Sequence, residues 1–513
     1  MQPHNEIADD IFSKNVPSGK NVSTGSDHGS KARSAIGPRT DTIECDICVI
    51  GAGSGGLSVA AAAAAFGVNV VLIEKHKMGG DCLNYGCVPS KALIAAGKRA
   101  HLMRSSGGFG VAAHEPSIDY SAVHDHVKSV IAAIAPNDSV ERFTGLGVKV
   151  IEAAGRFVDK DTVEAGERRI KARRFVVATG SAPLVPPIPG LDGVPYFTNE
   201  TVFDNQTMID HLLIVGGGPI GMELAQAHRR LGSRVTVLEG AKALGKDDPE
   251  MTKVVLEHLR GEGVDIREGT LVTRIDGGPG NIRAHVKVGE QEEVIEGSHI
   301  LMAAGRKPNV DDLGLDAAGI KFDKRGIKVD NKLVTSNARV YAIGDVVGGF
   351  QFTHVANYHA GIVIRKALFR HPFAKVDESI IPWVTFTDPE LAHVGLSEDQ
   401  AVEKHGKVSV LRWPYHENDR AQAERITSGH VKVVTDKNGR ILGATIVGEH
   451  AGELIQMWSL AVSQKLKIGA MTAWISPYPT LSEVNKRVAY KFYAGATSNP
   501  LIRKVIGLLA KLG

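Results

Sequence analysis

Two cysteines five positions apart stand in the segment Gly79-Gly80-Asp81-Cys82-Leu83-Asn84-Tyr85-Gly86-Cys87-Val88-Pro89-Ser90-Lys91. Thiols this close can cycle between dithiol and disulfide, hold a metal ion, or simply pack. In a regular helix, residues five apart lie about 7.5 Å apart along the axis and on different faces. A disulfide needs Cα atoms about 4.4–6.8 Å apart. A bridge between Cys82 and Cys87 therefore requires a distorted segment, and Asn84 and Gly86 are residue types that tolerate turns. Pro89 suits a first helical turn, which puts Cys87 at a helix N-terminus, where the partial positive charge favours a thiolate. The alternative is two unlinked packing cysteines.

The other pair, Cys45 and Cys48, spells Cys-x-x-Cys but falls on an apolar run that reads as a strand. Residues three apart on a strand point to opposite faces about 10 Å apart, so these two neither bridge nor share a zinc. Four cysteines in 513 residues exclude a disulfide scaffold and fit a reducing, cytoplasmic setting.

The elements around Cys82 repeat a known arrangement. Ile47–Ile50 reads as a buried strand, followed by Gly51-Ala52-Gly53-Ser54-Gly55-Gly56, an Ala-rich helix to Phe66, and a second strand ending at Glu74. In a strand–Gly-x-Gly-x-x-Gly–helix unit, Gly51 permits the tight turn and Gly53 lets the backbone approach a pyrophosphate. Gly56 lets helix and strand pack closely, and Glu74 accepts ribose hydroxyls. The pattern recurs with strand His211–Val215, glycines Gly216, Gly218 and Gly221, helix Met222–Leu231, strand Arg234–Leu238 and Glu239. A carboxylate at Glu239 suits the 2′-hydroxyl of NAD(H) and repels the 2′-phosphate of NADP(H). Arg229, Arg230 and Arg234 lie nearby, and read as a solvated helix face and strand end. Two dinucleotide sites in one chain imply electron transfer between two cofactors.

At 513 residues the chain needs several domains. A net charge of +3 gives no basic face for nucleic acid. No run of about 20 apolar residues reads as a membrane span. Residues 1–41 are polar and Ser/Gly-rich, and read as a disordered tail.

On the two Gly-rich turns, the Gly-Gly-x-Cys-x4-Cys-x-Pro-Ser-Lys segment, Val177-Ala178-Thr179-Gly180, Tyr341-Ala342-Ile343-Gly344-Asp345 and Pro479-Thr480-Leu481-Ser482-Glu483, the chain resembles the pyridine nucleotide–disulfide oxidoreductases, the family of dihydrolipoamide dehydrogenase, glutathione reductase and mercuric reductase. The resemblance covers about residues 43–495. It implies an α/β fold: two Rossmann-like domains, binding FAD and then NAD, plus an α+β C-terminal dimerisation domain. The expected boundaries are 42–185 and 316–380 for the FAD-binding parts, 186–315 for NAD(P), 381–497 for dimerisation and 498–513 for a final helix. Cys87 is then the thiolate beside the flavin and Cys82 the sulfur that exchanges with substrate. Lys91 pairs with Glu223 at the reactive edge of the flavin and stabilises negative charge there. Asp345 binds the ribityl chain and Gly344 allows its approach. Thr179 and Gly180 close the FAD fold. Pro183–Pro189 forms a stiff linker, and the chain forms a homodimer whose C-terminal domain completes the partner's site.

The sequence departs from the family where the disulfide reductases carry a His before Pro-Thr: here it is Tyr478, with Glu483 at the position of the orienting Glu. Free Tyr titrates near 10 and His near 6.5, so Tyr is a poor base for a dithiol at neutral pH. His354 and His359 read as flavin-domain packing. Mercuric reductases resemble the chain in carrying Tyr near this place, but their C-terminal cysteine pair is absent, since the last cysteine is Cys87. The main expectation is an NADH-linked flavoenzyme acting on a disulfide. The alternatives are reduction of a soft metal ion or other electrophile, and a non-enzymatic membrane-associated redox sensor. The last rests on Asn499-Pro500 capping a basic amphipathic helix, which suits peripheral membrane contact or packing within the dimer.

Overall fold

The computed structural model describes residues 41–512. The N-terminal segment read as a disordered tail lies outside the described residues, except Asp41, which opens the first strand. The first sheet is built on β1 (Asp41–Ile50) and β2 (Val70–Glu74), joined by helix α1 (Ser54–Ala65). Its parallel strands run in the order Lys149–Glu152, β2, β1, Arg168–Val177, Val340–Ala342. The chain moves outward on one side of β1 and later on the other. The carboxyl end of β1 is therefore a topological switch point, the place where such sheets bind ligands.

Between its two visits to this sheet the chain builds a second one. Its strands Asp265–Arg267, Arg234–Leu238, His211–Val215 and His299–Met302 are all parallel and lie in that order. This repeats the order around β1. Both crossover helices start inside the Gly motif rather than after it, at Ser54 and Pro219. Gly56 and Gly221 thus lie in first turns. A Cβ on them would meet the carbonyl oxygens of Gly51 and Gly216 at 1.9 and 2.1 Å, so only glycine lets each helix sit on its strand.

The C-terminal part is a five-stranded antiparallel sheet with strands of 382–385, 390–395, 441–448, 430–436 and 408–414 in spatial order. Helix Ala451–Ser463 covers it, with Trp458 fully buried. The α/β class with two Rossmann-like units and an α+β C-terminal domain is as expected.

Two buried cations join the second unit to this C-terminal sheet. Arg230, 4% exposed, bonds Glu262 at 2.7 Å and Asp388 at 2.9 Å. Lys432, also 4% exposed, reaches Asp248 and Glu398 at 2.7 Å and Glu250 at 3.0 Å. The arginines near the second acid are thus not a uniformly solvated face. Arg230 is spent between domains, Arg229 donates to the Glu262 carbonyl, and Arg234 pairs with Asp210.

Candidate active site

The cysteine segment is broken in the way a bridge between Cys82 and Cys87 would require, with both cysteines free in this structure. Helix α2 (Gly80–Asn84) ends, Tyr85 and Gly86 leave helical geometry, and helix α3 (Cys87–Ser105) begins at Cys87. Gly79 and Gly80, at φ 84° and 60°, make the left-handed entry into α2. Asn84 closes the segment from inside by donating to the Met78 and Gly80 carbonyls. Gly86 is required for space: a Cβ there would lie 2.9 Å from a carboxylate oxygen of Asp81. Asp81 is itself held by Arg306 at 3.1 Å and by Asn199 at 3.2 Å. Gly86→Ala is expected to destabilise the fold by about 1–3 kcal/mol through overpacking. A thermal melt of the cofactor-loaded protein checks this, and an unchanged Tm would refute it.

Cys82 and Cys87 are both free thiols, close enough for each to shift the other's protonation. Cys82 lowers Cys87 to about 6 against the opposing effect of burial, with Thr353 and the Lys91 ammonium adding to the lowering. Cys87, with burial, holds Cys82 well above the ordinary thiol range. One sulfur therefore carries the charge and the other the proton. Thr353 Oγ1 stands 3.4 Å from the Cys87 sulfur. Cys45 and Cys48 remain unpaired on β1, and burial raises both.

Helix α3 carries Lys91 onto helix Pro219–Arg230 of the second unit. Gly97 permits the close approach, since a Cβ there would meet the Ala227 carbonyl oxygen at 3.1 Å. Lys91 Nζ then reaches Glu223 at 2.7 Å. The other carboxylate oxygen of Glu223, which is 6% exposed, accepts the Phe386 N–H at 2.9 Å. The Phe386 ring lies 4.3 Å from Lys91 Nζ. Three parts of the chain thus meet at one carboxylate.

The glycine cradles fit dinucleotides. A Cβ on Gly51 or Gly216 would lie 2.4 Å from the Ala178 or Ala303 carbonyl oxygen, whereas one on Gly53 or Gly218 would meet nothing within 4 Å. The first glycine of each motif thus makes the turn, and the second leaves open space at a helix N-terminus, where phosphate binds. Glu74 accepts the N–H groups of Ala52 and His76 at 2.6 and 2.8 Å. Glu239 accepts those of Gly217 and Ala241 at 2.7 and 2.8 Å. The two acids are held alike. Asp345 follows Gly344, which has φ 69°. Burial raises Asp345, opposed by the Ser181 hydroxyl at 2.6 Å and by Arg306. His359, within the flavin-side core, accepts the Gly344 N–H through Nδ1, while His354 Nε2 donates to the Pro382 carbonyl. The Thr179 hydroxyl donates to the Asn309 carbonyl, and Asn309 donates its amide to the Thr179 carbonyl and its N–H to that of Gly180. The crossing out of the first unit is thereby clamped to the crossing back.

Tyr478 is not joined to these groups within one chain. It is 71% exposed, and its hydroxyl donates to Asp419 at 2.8 Å, which raises it above the ordinary phenol range. Glu483 is engaged by Arg487 instead of orienting Tyr478. Thr353, Phe386, Arg306 and Asn309 were not singled out from sequence. The one legible signal was Thr353, next to the already noted His354.

Two dinucleotide cradles flanking a charged thiol define an oxidoreductase that passes electrons between a nicotinamide and sulfur. Residues 45–360 match the pyridine nucleotide-disulphide oxidoreductase model and residues 381–489 the dimerisation domain of the same family. The chain belongs to this family, and as a member it is a flavoprotein disulfide oxidoreductase using FAD and a pyridine nucleotide. It is 35% identical over 450 residues to a mercuric reductase of Bacillus cereus, covering 87% of this chain and 71% of that one. It is 35% identical over 458 residues to a dihydrolipoyl dehydrogenase of Staphylococcus aureus, covering 88% and 97%. Among solved structures, the Cu(II) complex of the HOCl-induced flavoprotein disulfide reductase RclA from Escherichia coli is similar, with a TM-score of 0.79 and 26% identity over 88% of this chain and 99% of that one. LpdA from Mycobacterium tuberculosis has a TM-score of 0.81 and 26% identity over 88% and 100%. These enzyme relatives lend no support to a non-catalytic sensor. Among the described residues, no helix is long and apolar enough to cross a membrane.

Proposed function

We propose that the chain works as a homodimer that takes two electrons from NADH and delivers them, by way of Cys82 and Cys87, to a small-molecule or protein-bound disulfide. The observation that carries this reading is the placement of two free thiols at the break before helix α3, with Cys87 opening that helix and the Lys91–Glu223 pair one turn further along it. FAD, when bound, supplies the relay between nicotinamide and sulfur. Gly51, Gly53, Gly56, Glu74, Thr179, Gly180, Gly344 and Asp345 would hold it, and Gly216, Gly218, Gly221 and Glu239 would hold NADH.

Two electrons break the Cys82–Cys87 bond and leave a thiol at Cys82 and a thiolate at Cys87. Cys82 then attacks the acceptor disulfide, giving a mixed disulfide and one released thiol. Cys87 attacks the Cys82 sulfur, releases the second thiol and restores the bond. The balance is NADH plus a proton and a disulfide, giving NAD+ and two thiols. For its attack Cys82 must pass its proton on. A partner's Tyr478, whose one hydroxyl proton is committed to Asp419 and whose acidity that bond lowers, does not replace a histidine in taking that proton.

The same observation supports a second reading, reduction of a soft metal ion held by the thiols, which needs no dithiol base. NADH consumption with lipoamide, glutathione disulfide and Hg(II) separates the two. Turnover with a disulfide and none with Hg(II) is the expected result. Turnover with Hg(II) alone would overturn the first reading.

The nicotinamide preference rests on Glu239, which among the described residues has no arginine paired with it. Glu239→Gln keeps one acceptor and removes the charge that repels a 2′-phosphate. The kcat/KM ratio for NADH over NADPH is expected to fall about tenfold, about the 1.4 kcal/mol of one weakened charge contact. An unchanged ratio would show that specificity lies elsewhere.

A further inference from the structure

Past the dimerisation domain, Asn499 caps helix Pro500–Leu509, accepting the Leu501 N–H at 2.9 Å. Every residue of this helix is exposed, with Leu501, Leu508 and Ile506 at 69%, 63% and 60%. At 3.6 residues per turn, Leu501, Ile502, Val505, Ile506, Leu508 and Leu509 fall within an arc of about 160°, and Arg503 and Lys504 lie outside it. Lys511 follows in the next turn.

Charge decides what covers this apolar face. From Val484 to the end the chain carries six cations, namely Lys486, Arg487, Lys491, Arg503, Lys504 and Lys511, and no Asp or Glu. The whole chain is close to balance, with 60 Lys and Arg against 57 Asp and Glu. A helix that only packs on a second copy needs an apolar acceptor and gains nothing from single-sign charge. A wide apolar arc backed by cations alone suits the boundary between acyl chains and anionic headgroups. Among the described residues, Lys504 and Lys511 form no ion pair within the chain, which leaves both available for that surface.

We infer that helix Pro500–Leu509 lays its apolar face into an anionic phospholipid surface and holds the enzyme there as a peripheral protein. It is an anchor added to the catalytic unit, and two copies in a dimer would bind cooperatively.

The test is sedimentation of the full-length, FAD-loaded enzyme with vesicles of equal parts phosphatidylglycerol and phosphatidylcholine, and with phosphatidylcholine alone. Binding is expected to the anionic vesicles at low salt and to fall several-fold in about 0.5 M salt. Val505→Asp, on an exposed face, is expected to lower binding at least about tenfold with NADH oxidation unchanged. The double variant Arg503→Gln/Lys504→Gln is expected to remove most of the salt-sensitive share. Failure of the wild type to bind anionic vesicles would overturn the inference, as would equal binding by Val505→Asp. Strong amide-exchange protection of residues 501–509 in the lipid-free dimer would also overturn it, assigning the helix to the second copy.

Discussion

Replacing Cys87 with serine abolishes the long-wavelength charge-transfer absorbance expected of the two-electron-reduced, FAD-loaded enzyme. It also lowers NADH-dependent disulfide reduction by about 10³-fold or more. The expectation follows from where the charge sits. Cys87 opens helix α3 and lies near Cys82 and Lys91, so its thiolate is favoured. Serine keeps the shape but holds its proton at any working pH. Cys82→Ser is expected to keep the band and lose turnover, because the exchanging sulfur is gone while the charged one remains. The band also reports protonation. With Cys87 at about 6 the thiolate persists above that pH, and absorbance falls as pH drops through it. A band surviving in Cys87→Ser, or one that strengthens in acid, would refute the assignment.

Glu223→Gln is expected to slow reduction of the bound flavin by NADH about 10²-fold while leaving the fold intact. Glutamine can still accept from the Phe386 N–H, so the loop stays in place. What is lost is the charge that fixes the Lys91 ammonium 2.7 Å away. Lys91 is more than a third exposed, so screening limits the stability cost. The kinetic cost is larger, because a misplaced cation no longer meets the charge that develops during electron entry. Stopped-flow reduction measures the step directly. A rate within twofold of wild type would show that the pair is structural. Lys91→Met offers a second reading of the same term and should give a comparable loss.

Much of this site was legible because its chemistry is written in local patterns. The Gly-x-Gly-x-x-Gly runs reported two cradles, since each glycine answers to a neighbour within one strand–helix unit. The break between α2 and α3 followed from the cysteine spacing, because five residues of helix cannot bring two sulfurs together. Phe386 and Arg306 were not legible, and Thr353 only through its neighbour His354. Phe386 and Thr353 come from segments more than 260 positions away in the chain, and Arg306 reaches Asp81 across the return into the first unit. No periodicity near Cys82 predicts which loop will donate to Glu223. The arginines beside Glu239 mark the same limit. Their spacing suggested a solvated face, yet Arg230 is buried because Asp388, from the loop joining two strands of the C-terminal sheet, arrives to pair with it. Tyr478 was legible as a departure, while its Asp419 partner was not, since 59 residues separate them.

The buried cations Arg230 and Lys432 also bear on how electrons can travel. Stripping a partner from a buried ion pair costs about 3–5 kcal/mol, and here two such junctions, Arg230 with Asp388 and Lys432 with Asp248, tie the nicotinamide unit to the C-terminal domain. A module riveted at two points cannot swing as a hinge during turnover without exposing both cations. A hinge motion of this unit would therefore have to break both contacts, which favours an arrangement in which the small molecules move and the units keep their places.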